Sequence, residues 1–355
     1  MRVLHVNTER GWRGGERQTL LTLKGLSSRG VEVALAARRG GRLAEAAEGE
    51  GVEVFPLKMR SGANPITAFK LARIARRFGA EIIHLQTAHA ASLAVIARLF
   101  GLKARLVASR RVDFPVKSAW KYNRMHLIAA ISGKIKDVLV EGGVDTERIR
   151  IVPSGIQIDV STPPNLEESR KELAEYAPVL IGTIGHLADH KGHRFLLDAL
   201  PAIIAKEPSL RLAIIGDGEL RETLERQASD LGIADHVLFT GFREDASDLI
   251  WSLDLFVLPS VLEGLCTTLF DVLLRGVPIV ASDAGGIPEA LDNGRYGALV
   301  PPGDARALAD RVVAILRDEA AKKAMTDGAA EWVRERFSVG AMVDSTVELY
   351  REVLG

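Results

Sequence analysis

The chain has 355 residues, 47% of them hydrophobic, with 46 Lys+Arg against 46 Asp+Glu and one cysteine; that length favours two domains over one core, and a lone cysteine excludes an internal disulfide framework and any multi-cysteine metal site. No apolar run is long enough to cross a bilayer, and the opening MRVLHVNTERGW lacks the charged start, apolar stretch and cleavage site of a secretory signal, so a reducing, cytoplasmic setting is expected. The neutral total hides an asymmetry: residues 1–125 hold 23 Lys+Arg and 9 Asp+Glu, a net +14, while the remainder holds 23 and 37, a net −14, so one half is expected to meet something anionic.

In chain order, RVLHVN, a helix near Glu16–Arg29, VEVALAA, a helix near Leu43–Glu50, VEVFPL, a helix near Ile66–Phe78 and IIHLQ alternate strand-like and helix-like patterns. This is the rhythm of βαβ units with a parallel sheet. It restarts after IRIVPSGIQ and VSTPPN with VLIGTIG, LRLAIIGDG, HVLFTG, LFVLPS and PIVAS. The predicted fold is therefore α/β, two Rossmann-like domains facing across a cleft, with the Pro-rich STPPN as linker. The expected division is 1–165 as the acceptor side and 166–340 as the ligand-binding domain. A helix over 341–355 follows FSVG and could pack on either domain, the N-terminal one being the expectation. Ligands of such sheets lie outside the C-terminal ends of the strands.

Several loops there carry candidate chemistry. LHVNTERGWRGGERQTLLTL ends a strand in a loop holding Gly11, Gly14 and Gly15 before a helix, a place where backbone can approach a phosphate, or simply a flexible turn. IGTIGHLADHKG sets His186 and Lys191 after a strand; the lysine beside Gly192 suits a diphosphate, and equally a solvated loop. In IIGDGELRETLE, Gly216 and Gly218 invite a dinucleotide reading, but Arg221 stands where that fingerprint needs its third glycine. VLEGLCTTLFDVLLRGVPIVAS places Glu263 and Asp271 in an otherwise apolar segment. A helix starting close after Glu263 would aim the amides of Gly264, Leu265, Cys266 and Thr267 at an anion, and ionised carboxylates suit sugar hydroxyls. Singly, Glu263 could be a helix-start acid and Asp271 an exposed helix residue.

The stretch PSVLEGLCTTLFDVLLRGVPIVASDAGGIPE resembles the signature of retaining glycosyltransferases of family 4 (glycosyl transferases group 1), a family of the two-domain GT-B fold that usually carries Glu, seven residues, then Glu. Ordered matches span nearly the whole chain: the Gly14–Gly15 loop, ISGKIKDVL with IRIVPSGIQID, IGHLADHKG, LAIIGDGELRETLE, HVLFTGFREDASDLI and FSVGAMVDSTVELYREVL. The resemblance implies that Glu263 holds donor-sugar hydroxyls and Asp271 faces the nucleotide ribose. It also implies that Gly264 to Thr267, Lys191, His186 and the Gly14–Gly15 loop lie at the diphosphate, and that Gly216, Phe242 and Arg243 lie near the base. A nucleoside-diphosphate sugar, no metal and no other cofactor are expected.

Three positions depart from the family pattern. Asp271 replaces the usual Glu, His186 replaces a common Arg, and Arg111, beside Arg110, stands where many relatives have a His. Arginine is no base, but it can hold an anionic acceptor or stabilise a departing phosphate, so Glu263, Lys191, Arg110 and Arg111 are the candidate catalytic residues. The implied activity is retaining transfer of a sugar to a glycan or lipid-linked acceptor, as in cell-envelope polysaccharide or lipopolysaccharide synthesis. A nucleotide-sugar epimerase and a non-catalytic nucleotide-sugar-binding protein are the rivals. The basic half, with Arg110, Arg111, Lys117, Lys121 and Arg124 clustered, points to an anionic acceptor. The helix with Ile66, Phe69, Ile74 and Phe78 among Lys70, Arg73, Arg76 and Arg77 reads first as an ordinary amphipathic helix and second as a contact with the anionic inner face of the membrane. Nucleic acid is not an expected partner, because aromatics make up only 5% of the chain and no recognised module is present.

Overall fold

The computed structural model describes residues 1–59, 64–116, 118–158, 165–174 and 177–355. They form two compact units, Met1–Gln157 with Arg336–Gly355, and Ile158–Glu335. The first unit thus ends ahead of the position near 165 read from the Pro-rich segment, of which residues 161–164 lie outside the described residues, and the chain rejoins that unit at Arg336.

The first unit is built on seven strands: β1 (Arg2–Asn7), β2 (Glu32–Arg38), β3 (Glu53–Leu57), β4 (Ile82–Leu85), β5 (Arg105–Arg110), β6 (Leu127–Ala130) and β7 (Ile149–Ile151). All pair in parallel in the order β3-β2-β1-β4-β5-β6-β7. Val3, Leu4, Val6, Ile82, Ile83 and Leu85 are fully buried, as expected where helices cover both faces of a parallel sheet. Order reverses between β1 and β4, whose register sets His5 beside His84.

The helix Gly14–Ser28 includes Gly14 and Gly15 in its first turn, so these two glycines open a helix rather than belong to the preceding loop. Its start is not marked by a usual cap side chain; the buried Glu16 carboxylate accepts from the Arg13 amide at 3.0 Å instead. The C-terminal helix Val339–Leu354 lies against it. A Cβ on Gly25 would stand 2.3 Å from Val343 Cγ2, so glycine here permits close helix packing despite its poor helix propensity. Helix Pro65–Phe78 buries Leu71, Ala72, Ala75 and Phe78 but leaves Ile66 and Phe69 exposed; the apolar positions read as one stripe are split between two faces.

The second unit has β8 (Val179–Ile184), β9 (Leu210–Ile215), β10 (Val237–Gly241), β11 (Leu255–Leu258), β12 (Ile279–Ser282) and β13 (Ala298–Val300). They too are parallel, in the order β10-β9-β8-β11-β12-β13. The reversal falls between β8 and β11, over a core of Ile181, Leu196, Leu200, Leu212, Val257, Val280 and Val312.

Candidate active site

In the second unit, the loops leaving β8 and β11 open at the switch point where α/β sheets take ligands. Gly192 has φ +68, and a Cβ there would lie 2.1 Å from the Pro259 carbonyl. Glycine is required for the β8 loop to pass the end of β11. Val261 N donates to His190 O at 2.9 Å, and across this junction Lys191 Nζ donates to Glu263 Oε2 at 2.5 Å. The two side chains are 21% and 13% exposed. Glu263 is also held through its backbone, because Gly286 N donates to its carbonyl at 3.0 Å. A Cβ on Gly285, φ +58, would lie 1.6 Å from the same oxygen. A largely buried ion pair contributes little to stability over an apolar pair of similar shape, so its place at a ligand-binding edge marks it as a functional candidate.

The helix Thr267–Leu274 begins just beyond, with Cys266 as its extended cap residue. Leu265 and Cys266 bury their side chains, so what this turn offers a ligand is backbone at a positive helix end. Burial, followed by the neighbouring Glu263 carboxylate, pushes the Cys266 thiol up to about 11. Asp271, four residues into that helix, lies 3.9 Å from the buried guanidinium of Arg275, which donates to the Asp271 carbonyl at 3.1 Å.

Among the remaining candidate positions of this unit, His186 and Arg243 have identifiable partners. His186 is exposed, with Nδ1 2.7 Å from Asp217 O and Nε2 2.9 Å from Glu219 Oε2. Gly216, φ +144, leaves no room for a side chain, since a Cβ would stand 1.9 Å from Gly185 O; the glycine is needed for the loops after β8 and β9 to cross. Phe242 is 75% exposed. Arg243 pairs with Asp245 and Glu172, and their bonds raise its pKa further.

In the first unit, a pocket of about 530 Å³ opens over the β1–β4 switch point and is lined by Arg10, Arg13, Gly15, Arg38, Arg110 and Arg111, with Glu9, Glu16 and Gln86. Gly14 and Gly15 have neither a positive φ nor any atom within 4 Å of a built Cβ. Packing does not demand glycine at either position, and the approach to the pocket stays open. Arg111 donates to Gln86 Oε1 at 2.7 Å; burial lowers its pKa to about 10 despite the opposing charge of Glu16. Arg110 is 9% exposed and donates to Tyr122 Oη at 3.3 Å and to the Phe114 carbonyl. Lys117 lies outside the described residues.

Beneath this pocket runs a buried polar network that sequence reasoning missed. Gln86 Nε2 lies 2.9 Å from His5 Nδ1, His5 Nε2 3.3 Å from Tyr350 Oη, Tyr350 Oη 2.6 Å from His84 Nδ1, and His84 Nε2 2.8 Å from Ser109 Oγ. Burial lowers His5 to about 3, helped by Arg111, and holds His84 well below its ordinary value. The available signal was the polar residue at every second position of LHVN and IHLQ, in strands that are otherwise apolar on both faces.

Among the described residues, no group of three or more His, Cys, Asp or Glu is placed to hold a metal ion, and no helix is long and apolar enough to cross a membrane. A family model described as "Glycosyltransferase Family 4" matches residues 12–160, and one described as "Glycosyl transferases group 1" matches residues 178–318. The chain is 24% identical to the lipopolysaccharide core biosynthesis glycosyltransferase LpsE of Rhizobium meliloti (strain 1021), over 95% of each chain. It is 26% identical to the N-acetyl-alpha-D-glucosaminyl L-malate synthase of Bacillus anthracis, over 81% of this chain and 78% of that one. In three dimensions it resembles Anabaena Alr3699/HepE, crystallised in complex with UDP, with a TM-score of 0.88 at 22% identity over 99% of this chain and 100% of the other. Two parallel-sheet units, the motif around Glu263 and these matches lead to one conclusion: the chain is a glycosyltransferase of family 4 with the GT-B fold.

Proposed function

We propose that the second unit binds a nucleoside-diphosphate sugar and that the first unit holds an anionic glycan or lipid-linked acceptor, the sugar moving with retention of anomeric configuration in cell-envelope synthesis. The observation that carries this reading is the Lys191–Glu263 pair at the β8–β11 switch point beside the start of helix Thr267–Leu274. In the reaction the bond from the anomeric carbon to the diphosphate breaks, a bond to the acceptor oxygen forms, and the hydroxyl proton leaves with the phosphate. Lys191 and the helix-end amides meet the charge that develops on the diphosphate. Glu263, only an acceptor when ionised, takes hydroxyls of the donor sugar. On this reading protein cations and amides do the work of a metal ion. The UDP of the Anabaena structure supports a nucleotide donor, and the lipopolysaccharide role of the Rhizobium relative supports an envelope acceptor. Exposed Ile66 and Phe69 near Lys70 and Arg73 support contact of a cytoplasmic enzyme with an anionic membrane face; vesicle flotation without a preference for anionic lipid would count against that contact.

The test is to incubate the protein with UDP-, GDP- and ADP-sugars, with and without envelope glycan fractions, in buffer containing EDTA. Nucleoside diphosphate released only when acceptor is present, with an α-donor giving an α-product, is the expected result. An isomerised donor sugar without acceptor, or tight binding with no turnover, would replace transfer by the epimerase or binding-protein reading.

A further inference from the structure

A second cavity in the first unit, of about 410 Å³, adjoins the arginine pocket and shares Arg110 and Tyr122 with it. Arg110, at the C-terminal end of β5, has one guanidinium nitrogen on Tyr122 Oη and the other on the Phe114 carbonyl, while its buried Nε has no hydrogen-bond partner. A buried donor left unmet on a charged group is costly. Lys121 lines the same cavity, its Nζ 5.3 Å from the centre of the Tyr122 ring. Arg110 and Lys121 thus meet on one residue, Tyr122, and the Lys121 pKa is lowered by burial first and then by the charge of Arg110. Neither takes part in an ion pair with a carboxylate among the described residues. Glu9 and Glu16 line the adjoining pocket, but no carboxylate among the described residues lines this cavity, so its two like charges call for an anion from outside. The rest of the lining is apolar and aromatic: Phe114, Pro115, Val116 and Trp120. Phe114 and Trp120 are 59% and 48% exposed, and Arg124 stacks 4.7 Å from the Trp120 ring centre.

We propose that this cavity binds the phosphate of an amphipathic ligand, its oxygens on Arg110 and Lys121 and its alkyl part against Phe114, Pro115, Val116 and Trp120. A tetrahedral phosphate offers several acceptor oxygens to a guanidinium, an ammonium and a phenol at once. Only the ligand's role as acceptor rests on the transferase reading; the site itself rests on the residues of the first unit.

The experiment is calorimetry on the full chain with octyl phosphate kept monomeric, inorganic phosphate, octyl glucoside and, in parallel, UDP, GDP and ADP. Octyl phosphate is expected to bind at least about tenfold more tightly than inorganic phosphate or octyl glucoside. Lys121→Gln should weaken octyl phosphate by about tenfold or more, and Trp120→Ala should weaken octyl phosphate while sparing inorganic phosphate. Both substitutions fall on partly exposed side chains, so folding is retained and checked by circular dichroism, whereas Arg110→Met removes a buried group and is secondary. Unchanged octyl phosphate affinity in both variants overturns the site. Equal binding of octyl phosphate and octyl glucoside overturns the charge recognition, and equal binding of octyl and inorganic phosphate overturns the amphipathic ligand. If octyl phosphate binds as expected but none of the three nucleotides does, the site stands and the transferase reading falls; binding of any one nucleotide without octyl phosphate gives the reverse.

Discussion

Lys191 Nζ lies 2.5 Å from Glu263 Oε2, although 72 residues separate them. They meet because β8 and β11 are neighbours in the sheet, and Gly192 lets the β8 loop pass under Pro259. Each residue alone would be a solvated lysine or a helix-start acid; together they are a donor and an acceptor fixed at the β8–β11 switch point. Lys191→Met is expected to lower kcat by about 10²–10³, the size of effect seen when one preorganised donor to a developing charge is lost. Glu263→Gln should lower it too, and the double variant should be little worse than the poorer single one, because the pair acts as a unit. Steady-state kinetics on the three variants decide it; an unchanged kcat in Lys191→Met removes the lysine from the site.

Gly285 and Gly14 predict opposite outcomes for one substitution. At Gly285 a Cβ would stand 1.6 Å from the Glu263 carbonyl with φ at +58, whereas at Gly14 nothing lies within 4 Å. Gly285→Ala should cost about 1–3 kcal/mol of folding free energy and raise KM for the donor by displacing Glu263. Gly14→Ala, at the first turn of a helix, should leave stability within about 1 kcal/mol of the parent while weakening ligand binding if backbone approaches phosphate there. Urea unfolding together with binding measurements separates the two; equal stability of both variants would show that the Glu263 backbone tolerates movement.

The alternation of strands and helices was legible because each short apolar run is bounded by its own loop and carries its own period. The segment around Glu263 was legible for the same reason: carboxylates, glycines and helix start all lie within one short stretch. What was hidden depends on topology. The His5–Tyr350–His84 chain needs the β1–β4 register and a helix that arrives more than 250 residues later, and no local pattern announces such a partner. The start of helix Gly14–Ser28 was misplaced because Arg13 is not among the side chains that usually cap helices; Glu16 reaching back to its amide does the capping. The sequence also did not single out Arg275, the fourth neighbour of Asp271, whose guanidinium stands 3.9 Å from its carboxylate.

Cys266 should be inert in the folded protein. Its side chain is buried and its thiol is pushed up to about 11, so at pH 8 roughly one molecule in a thousand carries the thiolate that reacts with electrophiles. Iodoacetamide is expected to label it only after denaturation, as read by intact-mass spectrometry. Stoichiometric labelling of the native protein within minutes would mean that the turn between Glu263 and Thr267 opens readily, and that its amides are not preorganised.

The buried histidines give the first unit a defined acid sensitivity. His5 is held down at about 3 and His84 is also lowered, chiefly by burial, while in the unfolded chain both return toward the ordinary 6.5. Between those limits the unfolded chain binds more protons than the folded one, so the stability present above pH 6.5 is lost as pH falls. For His5 alone the loss from pH 6.5 to pH 5 is about 2 kcal/mol, and His84 acts in the same direction. Thermal unfolding across pH 5–7.5 should therefore show a falling midpoint on the acid side, with a shallower slope in His5→Gln. Tyr350→Phe removes the hydroxyl that lies 2.6 Å from His84 Nδ1 and 3.3 Å from His5 Nε2, and it should cost about 1–3 kcal/mol at neutral pH through the unmet ring nitrogens. Equal midpoints for the parent at pH 5 and pH 7.5 would mean that water reaches these rings, and that the network does not hold Gln86 and Arg111 rigidly beneath the pocket.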